Sequence, residues 1–370
     1  MKWDARHPLF LSPGGKVLQA RDQPVRILQQ FCDQLRNEDT TVVDHWVGFF
    51  SYDLGLGFES ISSSAVDDLG LPLLAWAPYQ SRDPVRSDFA MVRPFPVTST
   101  FTRDQYLQAV QRCLDYIAAG DVFQINLSQR FTAPLVRSPV EIFNDLQCRF
   151  PARYPAYLDF GSFQILSNSP ELFLKVERLP DGRRRIVNRP IKGTRPVGPG
   201  MYESLFHSEK DQAELAMIVD LQRNDLGRIC QIGSVRVTDP RSIETHPTVL
   251  HGVATIEGIL RPDVSLVDIL RATFPCGSIT GCPKIRAMQI IDELEPVRRG
   301  VYCGAVGWIG SDGCMELSVA IRTMTVHDGR IFIPVGGGIV ADSIPEHEYD
   351  ETLVKARAMF AASGIDLFTS

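Results

Sequence analysis

The chain has 370 residues, of which 44% are hydrophobic and 22% charged, and its formal net charge is −6. That balance fits one large or two modest globular domains and excludes disorder, collagen and coiled coil. A net acidic chain has no general attraction for nucleic acid or an anionic membrane, so only a local basic pocket for a small anion stays open.

Eight cysteines stand at 32, 113, 148, 230, 276, 282, 303 and 314 with no CxxC pair, against a zinc ribbon or a thioredoxin-like site. Met1 is followed by no long apolar segment of the signal-peptide kind, and no run of about 18 apolar residues occurs. The expectation is a cytoplasmic protein with reduced thiols and no membrane span.

In chain order, Pro24 to Leu35 has helical spacing at Ile27, Leu28, Phe31 and Leu35, with Pro24 suited to a first turn. Val47 to Tyr52 reads as a buried strand. Pro78 to Thr102 reads as a long connection, with one strand at Phe89 to Val92. Asp104 to Ala119 is an amphipathic helix stopped by Gly120. Strands are expected at 123–131, 156–160, 163–167 and 172–177, then a turn at Pro180-Asp181-Gly182 and a return strand at 185–187. Helices follow at 208–221, 266–273, 283–294 and 347–362, and a meander of strands at 301–309, 315–325 and 330–334. Antiparallel strands with separate long helices predict an α+β fold of layered sheets covered by helices.

Several groups could carry chemistry. Asp211 and Glu214, and likewise Glu348 and Glu351, lie at i, i+3 on expected helices, so each pair shares a face. Two such faces supply oxygen ligands for a hard cation, or they are simply solvated. Lys192, before Gly193 in an expected turn, is a nucleophile if its neutral form is favoured by desolvation or nearby cations, with Arg189 and Arg195 as candidates; otherwise it is a surface lysine. Gly277–Gly281 precedes a helix and suits an anion, but lacks the Walker A ending. Gly336–Gly338 reads as a tight turn. His207, His246, His251 and His327 have no metal-ligand spacing, and no Gly-x-Ser-x-Gly elbow or thiol equivalent occurs.

The ordered string of motifs is more specific than any one of them. It runs Phe123-Gln124-Ile125-Asn126-Leu127-Ser128-Gln129-Arg130, Ser169-Pro170-Glu171-Leu172-Phe173, and Arg189-Pro190-Ile191-Lys192-Gly193-Thr194. Next come residues 218–228 (IVDLQRNDLGR), 274–284 (FPCGSITGCPK), Ala320-Ile321-Arg322-Thr323 and 336–343 (GGGIVADS). This string resembles the chorismate-utilising enzymes, densely over about 100–365 and more weakly at Gly48–Gly55. The resemblance implies two large antiparallel β-sheets packed together and covered by helices. Residues 1–100 then form a shortened N-terminal region and 101–370 the chorismate-binding catalytic domain.

Water-using members carry lysine where this chain has Gln124, so the resemblance implies ammonia as nucleophile. Members of the aminodeoxychorismate synthase component I type read Pro-Ile-Lys-Gly-Thr at Lys192, whereas anthranilate synthases read Ala there. The implied reaction is amination of chorismate to 4-amino-4-deoxychorismate through a Lys192 covalent intermediate, with Glu171 as general acid and His251 at the leaving group. Mg²⁺ is the implied cofactor, on Glu214 and Glu351 with Asp211 and Glu348 beside them. Arg322 and Tyr302 are expected on the enolpyruvyl carboxylate. Ser278, Lys355 and the N–H groups of Gly336, Gly337 and Gly338 are expected on the ring carboxylate.

Arg223-Asn224-Asp225 is expected to be structural. Tyr154 and Pro155 match one wall of the tryptophan pocket of some members, whose other wall has no counterpart here. With no glutaminase motif, ammonia would come from a glutamine amidotransferase subunit or from solution. Anthranilate synthase component I, isochorismate synthase and a non-catalytic relative are the competing readings.

Overall fold

The computed structural model describes residues 1, 3–11, 17–20, 24–37, 45–79, 97–247 and 249–365. The N-terminal part comprises β1 (Leu9–Leu11), β2 (Leu18–Ala20), α1 (Pro24–Asn37), β3 (His45–Phe50), α2 (Asp53–Phe58) and β4 (Leu74–Pro78). After it come β5 (Thr98–Ser99), α3 (Arg103–Ala118), β6 (Gln124–Pro134), α4 (Pro139–Arg149), β7 (Tyr154–Asp159), β8 (Phe163–Ser169), β9 (Leu172–Arg178), β10 (Arg184–Arg189) and β11 (Ile191–Pro196). Then follow α5 (Met201–Phe206), α6 (Glu209–Gly227), β12 (Arg236–Thr245), β13 (Val249–Ile259), α7 (Leu266–Thr273), a 3-10 turn at Gly277–Ile279 and β14 (Gly281–Cys282). The chain closes with α8 (Lys284–Leu294), β15 (Ala305–Gly310), β16 (Met315–Val319), β17 (Thr323–His327), β18 (Arg330–Ile339) and α9 (Pro345–Ser363). The expected strand at Phe89–Val92 lies outside the described residues.

Among the described residues the strands form two sheets, as the resemblance implied. One has eight strands in the order β1-β7-β8-β17-β18-β6-β14, with β5 also on β6. The other has ten in the order β11-β13-β10-β9-β16-β15-β3-β4-β2, with β12 also on β13. Among these strands only the β1–β7 pair is parallel; the long ladders such as β6–β18 and β12–β13 are antiparallel.

Strand β3 explains why its sequence is apolar throughout. Val47 and Phe49 point into the layer between the sheets with Leu158 and Ile165, while Trp46 and Phe50 point the other way, toward Leu28 and Phe31 of α1. With both faces covered, alternation disappears. The outer face of the eight-stranded sheet is closed by Ile142, Phe143 and Leu146 of α4 and by Met359 and Phe360 of α9. Burial of each such side chain stabilises the fold by about 1.5–3 kcal/mol. Helix α3 opens with a reciprocal Thr102–Gln105 capping box and ends before Gly120 at φ 80°, the stop its sequence signals.

Four expectations need correction. Residues 315–325 are two strands in different sheets, because the chain crosses between layers at 320–322, with Arg322 at φ 51°. The expected strand at 301–309 begins only at Ala305, after a turn with Cys303 at φ 62°. Lys192 lies in strand β11 rather than in a turn, beside a register shift between Ile191 and Thr194. Gly336–Gly338 continue β18 against β6; their lack of side chains is used for space, not for a turn. Helix α4 and the β12–β13 hairpin add to the expected elements: α4 opens on a Ser138–Glu141 capping box with Pro139 in its first turn, whereas β12 is polar and mostly half-exposed or exposed.

Candidate active site

The two sheets are stitched at neighbouring crossovers. The chain passes from β8 into β9 at Ser169–Leu172 and from β16 into β17 at Val319–Thr323. They are bound to each other: Ser169 Oγ donates to the Val319 carbonyl at 2.6 Å, and the Val319 N–H donates to the Glu171 carbonyl at 3.0 Å. Glu171 and Arg322 therefore sit where the sheets part, although 151 positions separate them in the chain.

Glu171 is 3% exposed and accepts a 2.6 Å hydrogen bond from Ser278 Oγ. Desolvation raises its carboxyl to about 7, against the opposing Ser278 hydrogen bond and Lys192 charge. It is thus poised to exchange a proton near neutral pH. Ser278, expected on the ring carboxylate, is here committed to Glu171.

Lys192 reaches in from β11. Its Nζ lies 3.3 Å from Gln124 Oε1 and 3.3 Å from Glu214 Oε2. Arg189 and Arg195, the cations expected near it, face elsewhere: Arg189 pairs with Glu244 and Arg195 with Asp211 at 2.9 Å. The neighbours of Lys192 are therefore acids and an amide. Gly193 must be glycine, since its φ is 80° and a Cβ would stand 2.7 Å from Leu205 and 2.8 Å from Asp211 Cγ.

The glycine strand forms the floor. A Cβ on Gly337 would lie 3.3 Å from Glu348 Oε2 and 3.9 Å from Glu351 Oε1; one on Gly338 would lie 3.1 Å from Lys192 Nζ. The Ser128 and Asn126 amides bond to Glu295 and Thr280 rather than to β18. Gly336 and Gly338 are therefore non-hydrogen-bonded positions of that ladder, and their own N–H groups point to the opposite edge, where β17 has ended. On that edge the Gly336 carbonyl accepts from Lys355 Nζ at 2.9 Å.

The acids of α6 and α9 face each other through lysines. Glu214 is shared by Lys192 and, at 4.0 Å, Lys210, and Glu351 lies 2.5 Å from Lys355. Glu351 is desolvated, yet Lys355 beside it, with Lys192 and Lys210 farther off, holds its carboxyl below the ordinary range. Desolvation raises Glu348 despite its 2.6 Å hydrogen bond from Ser343. Among the described residues no three His, Cys, Asp or Glu side chains stand as a ready-made metal cage. The donor set of Glu214, Glu348 and Glu351 nevertheless has the all-carboxylate chemistry of a hard-cation site, with Lys192 and Lys210 beside Glu214 and Lys355 beside Glu351. Asp211 stands apart from that set, paired with Arg195.

His251 on β13 bonds through Nδ1 to Thr194 Oγ1 at 3.0 Å. Burial, then the neighbouring His246 and Arg322, pulls its imidazole down to about 4, so it is neutral at pH 7. Arg322 donates to the Lys355 carbonyl at 2.8 Å and lies within electrostatic reach of Tyr302 and Glu351. Burial raises the Tyr302 phenol well above its ordinary range.

Sequence reasoning missed the buried Glu295–Arg299 pair at 2.7 Å, which ties Ser128, Asn126 and Ile279 together beneath the site. No motif announced it. Asp225, expected to be structural, holds Lys284 at 2.6 Å and so joins α6 to α8. Over Tyr154 and Pro155 lies the chain's own Trp3, with Nε1 donating to the Pro155 carbonyl at 2.7 Å and its ring edge-on to Tyr154 at 5.2 Å.

The profile of the chorismate binding enzyme family matches residues 78–361. The chain is 39% identical over 383 residues to aminodeoxychorismate synthase component 1 of Escherichia coli, covering 93% of this chain and 83% of that protein. It is also 39% identical over 358 residues to anthranilate synthase component 1 of Thermus thermophilus, covering 85% and 76%. It spans about half of some other curated relatives, as with 54% of the Pseudomonas aeruginosa anthranilate synthase component 1. In three dimensions it matches the crystal structure of anthranilate synthase component I from Streptococcus pneumoniae with a TM-score of 0.82 at 28% identity, over 94% of this chain and 91% of that one. The lysine, the acids and the glycine strand are thus set in a shared fold, and the chain belongs to the chorismate binding enzyme family.

Proposed function

We propose that this chorismate-utilising enzyme aminates chorismate at C4, giving 4-amino-4-deoxychorismate and water. The observation that carries the reading is Lys192, set between Gln124, Glu214 and the bare face of Gly338. Its neutral amine attacks C2 and the ring double bond shifts. The C4 hydroxyl leaves as water, taking the proton of Glu171. Ammonia then attacks C4, the double bond returns, and Lys192 departs from C2. The proton lost by the new C4 amine restores Glu171.

His251 presents a neutral ring by the leaving group, and Arg322 with Tyr302 holds the enolpyruvyl carboxylate. Lys355 and the outward N–H groups of Gly336 and Gly338 serve the ring carboxylate. Glu214, Glu348 and Glu351 would hold Mg²⁺, whose contribution is Lewis-acid polarisation of that carboxylate. Relatives of both names are called component 1, which supports a second component, here a glutamine amidotransferase that supplies ammonia in the cytoplasm. No described helix is long and apolar enough to cross a membrane.

A second reading, anthranilate formation by amination at C2 with loss of pyruvate, is favoured by the anthranilate synthase relatives. Incubating the chain with chorismate, Mg²⁺ and ammonium salt and identifying the product by mass spectrometry separates the two. Aminodeoxychorismate, together with a chorismate adduct on the Lys192 peptide that is absent from Lys192→Ala, is the expected result. Anthranilate without an adduct would replace it. Glutamine should serve as donor only once the amidotransferase is added.

A further inference from the structure

The segment Gly48–Gly55 ends where β3 passes into α2, and the chemistry above leaves it unused. Three of its residues converge on Gly300. The Gly300 N–H donates to Asp53 Oδ2 at 3.1 Å. The Gly300 carbonyl accepts from the Tyr52 N–H at 2.8 Å and from the Ser51 hydroxyl at 2.8 Å. The Asp53 N–H closes back on Ser51 Oγ at 3.3 Å.

Gly300 begins the turn that carries Tyr302. The turn has φ 61° at Gly300 and φ 62° at Cys303, a conformation a non-glycine residue keeps only when its surroundings hold it. On its other side the Cys303 N–H donates to the Ala320 carbonyl and the Ala320 N–H to the Gly304 carbonyl, both at 2.9 Å. The same turn is therefore tied to the crossover that carries Arg322.

We propose that Asp53 is a positioning residue: by holding the Gly300 N–H it fixes the turn that presents Tyr302, and with it Arg322, to the enolpyruvyl carboxylate of the substrate. The choice of substrate rests on the functional reading above; the clamp itself does not. Without the acceptor, a half-buried N–H loses its partner and the turn is released. Asp53 is faced by Arg298, Asp67 and the Ser51 hydroxyl, and burial above all raises its carboxyl to about 7. Protonation leaves the carbonyl oxygen of that carboxyl as an acceptor, so the hold on the Gly300 N–H does not depend on the charge.

The test uses the full chain with Asp53→Ala and Asp53→Asn, amide hydrogen exchange over residues 300–304, and chorismate kinetics with ammonium as donor. Asp53→Ala should exchange faster in that turn and raise the chorismate KM about tenfold with kcat little changed. Asp53→Asn, whose Oδ1 accepts the same hydrogen bond, should restore both.

Unchanged exchange in Asp53→Ala would overturn the clamp, and faster exchange with an unchanged KM would overturn the positioning role. Where Asp53→Ala does not fold, a raised KM in Asp53→Asn with parent-like exchange over residues 300–304 overturns the proposal. A parent that leaves chorismate unaltered would refute the functional reading and the substrate assignment with it, while the exchange data still decide the clamp.

Discussion

Ser278 Oγ donates to Glu171 Oε1 at 2.6 Å, joining the turn before α8 to the crossover between the sheets. Burial raises Glu171 to about 7 and this hydrogen bond is the first of the influences that lower it. Its removal in Ser278→Ala should therefore raise Glu171 further. Because the protonated acid is the working form in the first step, the alkaline limb of the pH–rate profile should move up by roughly one pH unit. A profile that stays in place would separate Glu171 from the proton-transfer step.

Gly338 lacks a side chain where one would stand 3.1 Å from Lys192 Nζ and 3.2 Å from Gln124 Nε2. Its backbone is not among the positive-φ glycines, so alanine is tolerated by the strand itself. Gly338→Ala should keep its melting temperature within a few degrees while displacing the lysine. The lysine must give way by only a few tenths of an ångström, and since a misplacement of about 1 Å costs about a hundredfold, a fall in kcat of about tenfold is expected. Parent-like turnover would show that Lys192 has room to spare and that the bare strand serves another purpose.

Glu351 pairs with Lys355 at 2.5 Å and lies with Glu348, from the same helix, over Gly337. Glu351→Gln should weaken Mn²⁺ binding, read by electron paramagnetic resonance in the absence of substrate, by at least about tenfold. Asp211→Asn, which touches Arg195 instead, should leave that affinity within about twofold. The reverse ranking would move the metal toward α6 and away from α9.

Glu171 also leaves a signature on stability. Its folded-state value of about 7 exceeds its ordinary 4.5, so the folded chain binds the proton more tightly than the unfolded one. That contribution is fully present below the ordinary value and is lost as pH rises through about 7. Glu171→Gln carries no such loss, so the variant should gain on the parent between pH 5 and pH 8, by up to about 3 kcal/mol. It should also be inactive. A stability gap that stays flat across this range would mean that the carboxyl is not buried as described.

The order of motifs alone identified the family, because Lys192, Glu171, the α6 and α9 acids and the glycine strand each sit in a string whose neighbours are local and fixed in spacing. Helix ends with a chemical signature were equally legible, as at Thr102 and Gly120. The sequence could not tell that Met315–Thr325 divides between two sheets, since both halves alternate like strands and only the opposing strands distinguish them. It mistook Gly336–Gly338 for a turn because glycine signals both a bend and an absence of side chain, and only β6 and the acids around it decide which is used. It assigned Lys192 the wrong neighbours: Arg189 and Arg195 are adjacent in sequence, but alternation along strands sends them to Glu244 and Asp211. Polar groups that meet across more than a hundred residues, such as Ser278 with Glu171, and the long-range clamp of Asp53 on Gly300 are properties of packing. Residue spacing determines which face a side chain takes within one element; which other element lies opposite is decided by the tertiary fold.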